Sequence, residues 1–185
     1  THSRYDCAIA VSGGKDSHMI VARLVEHHNV KNALLITCGD DYTLSEAGIN
    51  NRKNIAEAFG FDHIVFRNNP REFREQSLKG FTERLNPQGW FEETLYDVPI
   101  QIAKDMGIKI IFFGENSAYE YGNSTELNIF HPKSTEDSRI IFMGAIYPYS
   151  IQDSISVAKR HGFKDLLQFD DWYRVGGVEQ STQID

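Results

Sequence analysis

The chain has 185 residues, 41% apolar and 24% charged, with two cysteines and a formal net charge of −7. That size predicts one soluble globular domain over 1–185, with a core that stands without staples. No apolar run approaches the length of a membrane span, and the acidic balance argues against a broad grip on nucleic acid, whose phosphates call for many Lys and Arg contacts.

The run YDCAIAV (Tyr5 to Val11) reads as a first strand, followed by the stretch AVSGGKDSHMI and a helical pattern with Met19, Ile20, Leu24 and Val25 as its apolar face. His27 and His28 close that helix, where imidazolium suits the negative end of the dipole. ALLITC (Ala33 to Cys38) is a continuous apolar run of the kind buried in a parallel sheet. Thr43-Leu-Ser-Glu46 reads as a capping box opening a helix to Phe59, with Gly60 as its stop. HIVFR (His63 to Arg67) is a third strand, and Pro70 opens a charged helix to Leu85. Asn86 to Gly89 is a break, after which a helix runs from Leu95 to Met106 and stops at Gly107. KIIFFG (Lys109 to Gly114) and RIIFMG (Arg139 to Gly144) are the fourth and fifth strands. The polar stretch from Asn116 to Ser138 reads as a loop, and ISVAKRHGF is helical.

Strands separated by helices imply right-handed βαβ units, hence an α/β fold with a parallel doubly wound sheet of about five strands and helices on both faces. Ligands of such sheets sit beyond the carboxyl ends of the strands, at a topological switch point. The loop after the first strand obeys that rule. Its adjacent glycines let backbone approach an anion, and the positive end of the following helix faces the same place. Neither the Walker spacing nor the dinucleotide G-x-G-x-x-G spacing occurs.

Ser12-Gly13-Gly14-Lys15-Asp16-Ser17 instead resembles the SGGxDS signature of the PP-loop ATP pyrophosphatases. That resemblance implies the adenine nucleotide alpha hydrolase-like fold, strand order 3-2-1-4-5, and cleavage of ATP to AMP and pyrophosphate. Gly13 and Gly14 then leave room for phosphate oxygens, while Ser12 and Ser17 add hydroxyl donors. Lys15 supplies a point charge for pyrophosphate. Asp16 is unsuited to face a phosphate directly and holds Mg²⁺, directly or through water. Lys15 and Asp16 are therefore the candidate catalytic pair. The bland alternative is a glycine turn with a capped helix.

GENSAYEYG (Gly114 to Gly122), with FGFDHIVF, YPYS and HGFK, is similar to the N-acetyl sugar amidotransferase branch, which acts in surface-polysaccharide biosynthesis. The resemblance implies ATP and Mg²⁺ as cofactors and adenine held by backbone around Ile36 and Thr37. Gly114 joins the ATP-binding positions, and Glu115 and Asn116 orient the substrate carbonyl. Glu120 is a second Mg²⁺ candidate or, on its bland reading, a solvated loop carboxylate. The implied reaction is adenylation of a carbonyl followed by attack of ammonia, an amidotransferase or ligase chemistry on an N-acetylated sugar or related metabolite. No glutaminase triad is evident, so ammonia comes from solution or from a separate glutaminase subunit. A homodimer is the assembly considered.

The branch's usual cysteine pair is missing from NPQGWFEETLYDVPIQIA, so no structural zinc site is expected there. The chain is also expected to begin and stop inside the family's span. An adenylylsulfate-type reductase shares SGGKDS but needs a cysteine in its C-terminal region, and none follows Cys38. A nucleotide-binding module without turnover is the rival from another class. Asp40 and Asp41 contact ribose or metal, or are simply solvated. His63 and His131 have no partner at metal-ligand spacing. Trp90, Phe91 and Tyr96 line a substrate pocket or pack helices. Cys7 and Cys38 read as inert core residues, and two cysteines with a polar THSRYD start suit a reducing cytoplasm.

Overall fold

The computed structural model describes residues 3–39, 45–114, 129–147 and 150–168. Its elements run β1 (Cys7–Ala10), α1 (Lys15–His28), β2 (Ala33–Gly39), α2 (Glu46–Phe59), β3 (Asp62–Arg67), α3 (Pro70–Arg84) and α4 (Gly89–Asp105). They continue with β4 (Ile110–Phe113), β5 (Arg139–Phe142) and α5 (Ile151–Arg160). The five strands are all parallel, in the expected order β3-β2-β1-β4-β5.

β1 takes the centre because it is apolar on both faces. Cys7 and Ile9 join one core with Ile20 and Leu24 of α1, Ile55 of α2 and Val157 of α5. Ala8 points the other way, into a core with Leu34, Ile36, Ile111, Phe113 and Ile140 that Ile100 and Ala103 of α4 cover. Helices thus lie on both faces, and the loop between β1 and α1 emerges at the middle of the sheet.

Several boundaries shift from their sequence-based positions. The cap of α2 is Ser45 rather than Thr43, which lies outside the described residues. Ser45 is extended and its Oγ accepts the Gly48 N–H at 3.0 Å, an interaction worth about 1 kcal/mol. α4 starts at Gly89 instead of Leu95, because Trp90 and Phe91 on its first turn pack edge-on against Phe73 of α3, at 6.1 and 5.4 Å. Tertiary contact overrides a weak local pattern there.

The polar stretch expected as a loop is described from Ile129, where it lies antiparallel along the edge of β5. Phe130 bridges Ile141, and the His131 N–H donates to the Ile140 carbonyl at 3.0 Å. Covering an edge strand in this way satisfies its outward backbone groups. The other edge, β3, is largely exposed, and α3 buries none of its side chains. Among the described residues no helix is long and apolar enough to cross a membrane.

Candidate active site

Between Ala10 and Lys15 the chain turns from strand into helix within four residues. Val11 still pairs as strand, its N–H donating to the Ile36 carbonyl at 2.9 Å. Gly13 then adopts φ +98°, where an added Cβ would stand 2.7 Å from Arg52 Cγ and 3.0 Å from Arg52 N. Only glycine meets both conditions. Gly14 is the extended N-cap of α1, with no side-chain cap, whereas Ser45, Asn69 and Ser150 cap α2, α3 and α5. The first helical bond runs from the His18 N–H to the Gly14 carbonyl. The amides of Lys15, Asp16 and Ser17 therefore precede the ladder, at the positive end of the helix.

Both serines close the loop on itself. Ser17 Oγ accepts the Ser12 N–H at 2.9 Å and lies 3.2 Å from Ser12 Oγ, which accepts the Gly14 N–H at 3.3 Å. Arg52 of α2 holds the loop from outside, its Nε donating to the Ser12 carbonyl at 2.9 Å. A Cβ on Gly39 would also meet this guanidinium, at 2.9 Å, so Arg52 crosses the carboxyl ends of β1 and β2.

Lys15 is 1% exposed, and its ammonium lies 2.9 Å from Oδ2 of Asp16, itself 36% exposed. The other carboxylate oxygen, Oδ1, is buried without a hydrogen-bond partner. A buried lone oxygen of this kind is the donor a hard cation takes, so Asp16 fits Mg²⁺. Among the described residues no group of three His, Cys, Asp or Glu forms a ready metal site. Glu120, the second expected ligand, lies outside them, as do Glu115, Asn116, Asp40 and Asp41.

Ile36 and Thr37, the positions expected to hold adenine, sit next to the loop. Ile36 and Thr37 are fully buried, and Thr37 Oγ1 donates to the Val11 carbonyl at 2.6 Å, with His63 Nε2 2.8 Å away. Burial, and then the charge of Arg52, hold His63 below the usual imidazole range, although the Arg52 carbonyl pulls the other way. Gly114 directly follows β4, and a Cβ there would lie 2.5 Å from Ile20 Cδ1, so the strand exit and α1 touch. The structure thus brings together Ser12 to Ser17, Ile36, Thr37 and Gly114.

Behind the loop, His18 is fully buried and bonds to the Gly14 carbonyl at 3.0 Å through Nδ1. Burial brings its pKa down to about 4, against the pull of that carbonyl. Arg52, His18 and Asn54 were not singled out by residue pattern. The legible signal was Asn51, a polar residue between Ala47 and Ile55 on the buried stripe of α2. Other candidates serve packing. Trp90 and Phe91 face Phe73, while Tyr96 stacks on His131 at 5.3 Å and leans on Phe113 at 5.2 Å. Cys7 and Cys38 are both buried, and desolvation pushes the Cys7 thiol up to about 12.

A parallel sheet in this order, with its glycine turn at the end of the central strand, is the adenine nucleotide alpha hydrolase-like fold. No protein-family model and no curated protein matches the sequence. Among solved structures, the chain is similar to the U34-tRNA thiolase NcsA from Methanococcus maripaludis, which holds an iron–sulfur cluster. The two share 14% identity and a TM-score of 0.57 over 88% of this chain and 59% of that one. It is similar also to NMN synthetase from Francisella tularensis, at 14% identity and a TM-score of 0.58 over 87% of this chain and 63% of that one. The chain spans less than two thirds of the length of either structure. At this identity the likeness speaks for the fold.

Proposed function

We propose that the chain is an ATP-dependent, AMP-forming enzyme of the PP-loop class that adenylates a substrate carbonyl and passes it to ammonia. The observation that carries this reading is the pair at the start of α1. A buried ammonium, Lys15, and a carboxylate with one buried, unbonded oxygen, Asp16, stand where a glycine turn meets a helix end without a side-chain cap.

The terminal phosphates of ATP lie against that turn, and the α phosphorus faces the acceptor. The substrate's carbonyl oxygen forms the new bond to the α phosphorus as the bond to pyrophosphate breaks. Ammonia then attacks the activated carbon, and AMP leaves with the former carbonyl oxygen, giving an amide or amidine. Negative charge on the phosphate oxygens meets Lys15 and the positive end of α1, which are already in place. Mg²⁺ on Asp16 Oδ1 would supply further charge neutralisation there. Adenine is assigned to the backbone at Ile36 and Thr37, and the acceptor, an N-acetylated sugar or related metabolite, to Glu115 and Asn116. The ammonia source is solution or a separate glutaminase subunit.

The test incubates the full chain with ATP, Mg²⁺, ammonium and N-acetylated or carboxylated sugars, and measures AMP and pyrophosphate. AMP formation that depends on both sugar and ammonium is expected. Lys15→Ala should lower it by at least about a hundredfold, the scale of losing one transition-state charge donor, with an unchanged circular dichroism spectrum. Formation of ADP instead rejects the reading. ATP binding without turnover in any mixture favours a nucleotide-binding module.

A further inference from the structure

His18 lies in the first turn of α1, out of contact with solvent. The Gly14 carbonyl 3.0 Å from its Nδ1 can only accept, so Nδ1 carries the ring proton and Nε2 the lone pair. That lone pair faces Asn54 Nδ2 at 3.1 Å, and the same amide nitrogen donates to the His161 carbonyl at 2.7 Å. The Asn54 amide thus donates both ways, to the His161 carbonyl and to His18, whose Nδ1–H in turn donates to the Gly14 carbonyl. One turn earlier on α2, Asn51 grips the same segment twice. Its Nδ2 donates to the Lys164 carbonyl at 2.7 Å, and its Oδ1 accepts the Lys164 N–H at 2.9 Å. Gly162 has φ +86°, and a Cβ there would stand 2.6 Å from Asn54 Oδ1. Phe163 meets the His18 ring edge-on at 5.4 Å. HGFK is therefore a buttress docked on α2 and α1.

We propose that His18 and Asn54 are positioning residues through which the turn His161–Lys164 orients the Gly14–Lys15 peptide of the anion loop. A trans peptide is planar, so a carbonyl held toward His18 aims the Lys15 N–H the opposite way, out of the first turn toward a bound phosphate. Without the imidazole donor, that carbonyl keeps the longer helical bond from the His18 amide, at 3.2 Å, and the peptide loses its second restraint. The inference rests on the phosphate-binding reading of the loop. It adds that affinity for phosphate is set partly by a turn that touches no ligand.

The test is calorimetric titration of the full chain with inorganic pyrophosphate and with ATP, alongside thermal melting. His18→Asn places a donor near the Nδ1 position but gives up the bond to Asn54, so it is expected to weaken pyrophosphate binding only several-fold. His18→Phe keeps the ring volume without the donor and should weaken pyrophosphate binding by about tenfold, the scale of one lost buried hydrogen bond. Pure packing predicts the reverse order, with the phenylalanine variant the better binder. Gly162→Ala, at an exposed turn, provides a second route that leaves His18 in place. It displaces Asn54 and should weaken pyrophosphate binding several-fold. If wild type binds pyrophosphate and both His18→Phe and Gly162→Ala bind it equally well, the coupling is overturned while the loop's role stands. If wild type binds neither pyrophosphate nor ATP, the phosphate-binding reading falls and takes the coupling with it.

Discussion

Gly13→Ala separates the cost of an unfavourable backbone angle from the cost of a blocked approach, because Gly60 supplies an internal comparison. Both glycines have positive φ, +98° and +68°, yet a Cβ at Gly60 meets nothing within 4 Å, while one at Gly13 runs into Arg52. Gly60→Ala should therefore lose only the strain of a left-handed alanine, about 1 kcal/mol. At Gly13 the strain is about 1–3 kcal/mol, since φ lies beyond the ordinary left-handed well. The Arg52 stem must also shift, which opens its bond to the Ser12 carbonyl at a further cost of about 1 kcal/mol. The sum is about 3 kcal/mol, and a chain of this length loses roughly 2–4 °C of melting temperature per kcal/mol. Circular dichroism melts without nucleotide should thus show Gly13→Ala falling roughly 6–12 °C and Gly60→Ala roughly 2–4 °C. Adding Arg52→Ala removes the nearest atom, so the double variant should lose less than the two single losses combined. Equal melting temperatures for the two glycine variants would refute the contact between the loop and α2.

The buried imidazoles predict acid sensitivity. His18 falls from 6.5 to about 4 in the folded chain, and His63 is also lowered. Below about pH 6.5 the unfolded chain then binds more protons than the folded one, so stability is full above that point and declines as pH falls toward about 4. The urea midpoint should be lower at about pH 5 than at about pH 7, and an unchanged midpoint would mean the rings charge freely in the native state. The thiols give a separate check on the sheet. Cys7 is 2% exposed with its thiol pushed up to about 12, and Cys38 is 7% exposed. Neither should react with a disulfide reagent until the chain unfolds, and rapid release of one equivalent from native protein would contradict their burial.

The strands were legible because a central parallel strand must be apolar on both faces, and YDCAIAV, ALLITC and KIIFFG satisfy this without help from neighbours. The glycine turn was legible because its residues are six in a row, with Gly13 at positive φ and Gly14 at the start of α1. What escaped was whatever depends on contacts between distant segments. The start of α4 is decided by Phe73 packing on Trp90 and Phe91, which no local period reveals. Arg52 reaches Ser12 across 40 positions, and Asn54 reaches His161 across 107. Each of these residues, taken alone, resembles the solvated polar face of a helix. The cap of α2 failed more narrowly, since Thr43 and Ser45 both offer a hydroxyl near Glu46 and only geometry chooses Ser45.

The central place of β1 has a consequence for synthesis on the ribosome. Ala8 pairs with Leu34 on one side and with Ile111 on the other. A nascent chain that has not yet delivered β4 leaves one flank of β1 with unsatisfied backbone, exposed to the wrong partner strand. Gly114 and its contact with α1 likewise arrive only with that second half. The glycine turn, though it follows directly on β1, becomes rigid only once β4 has arrived, so products truncated before β4 should aggregate.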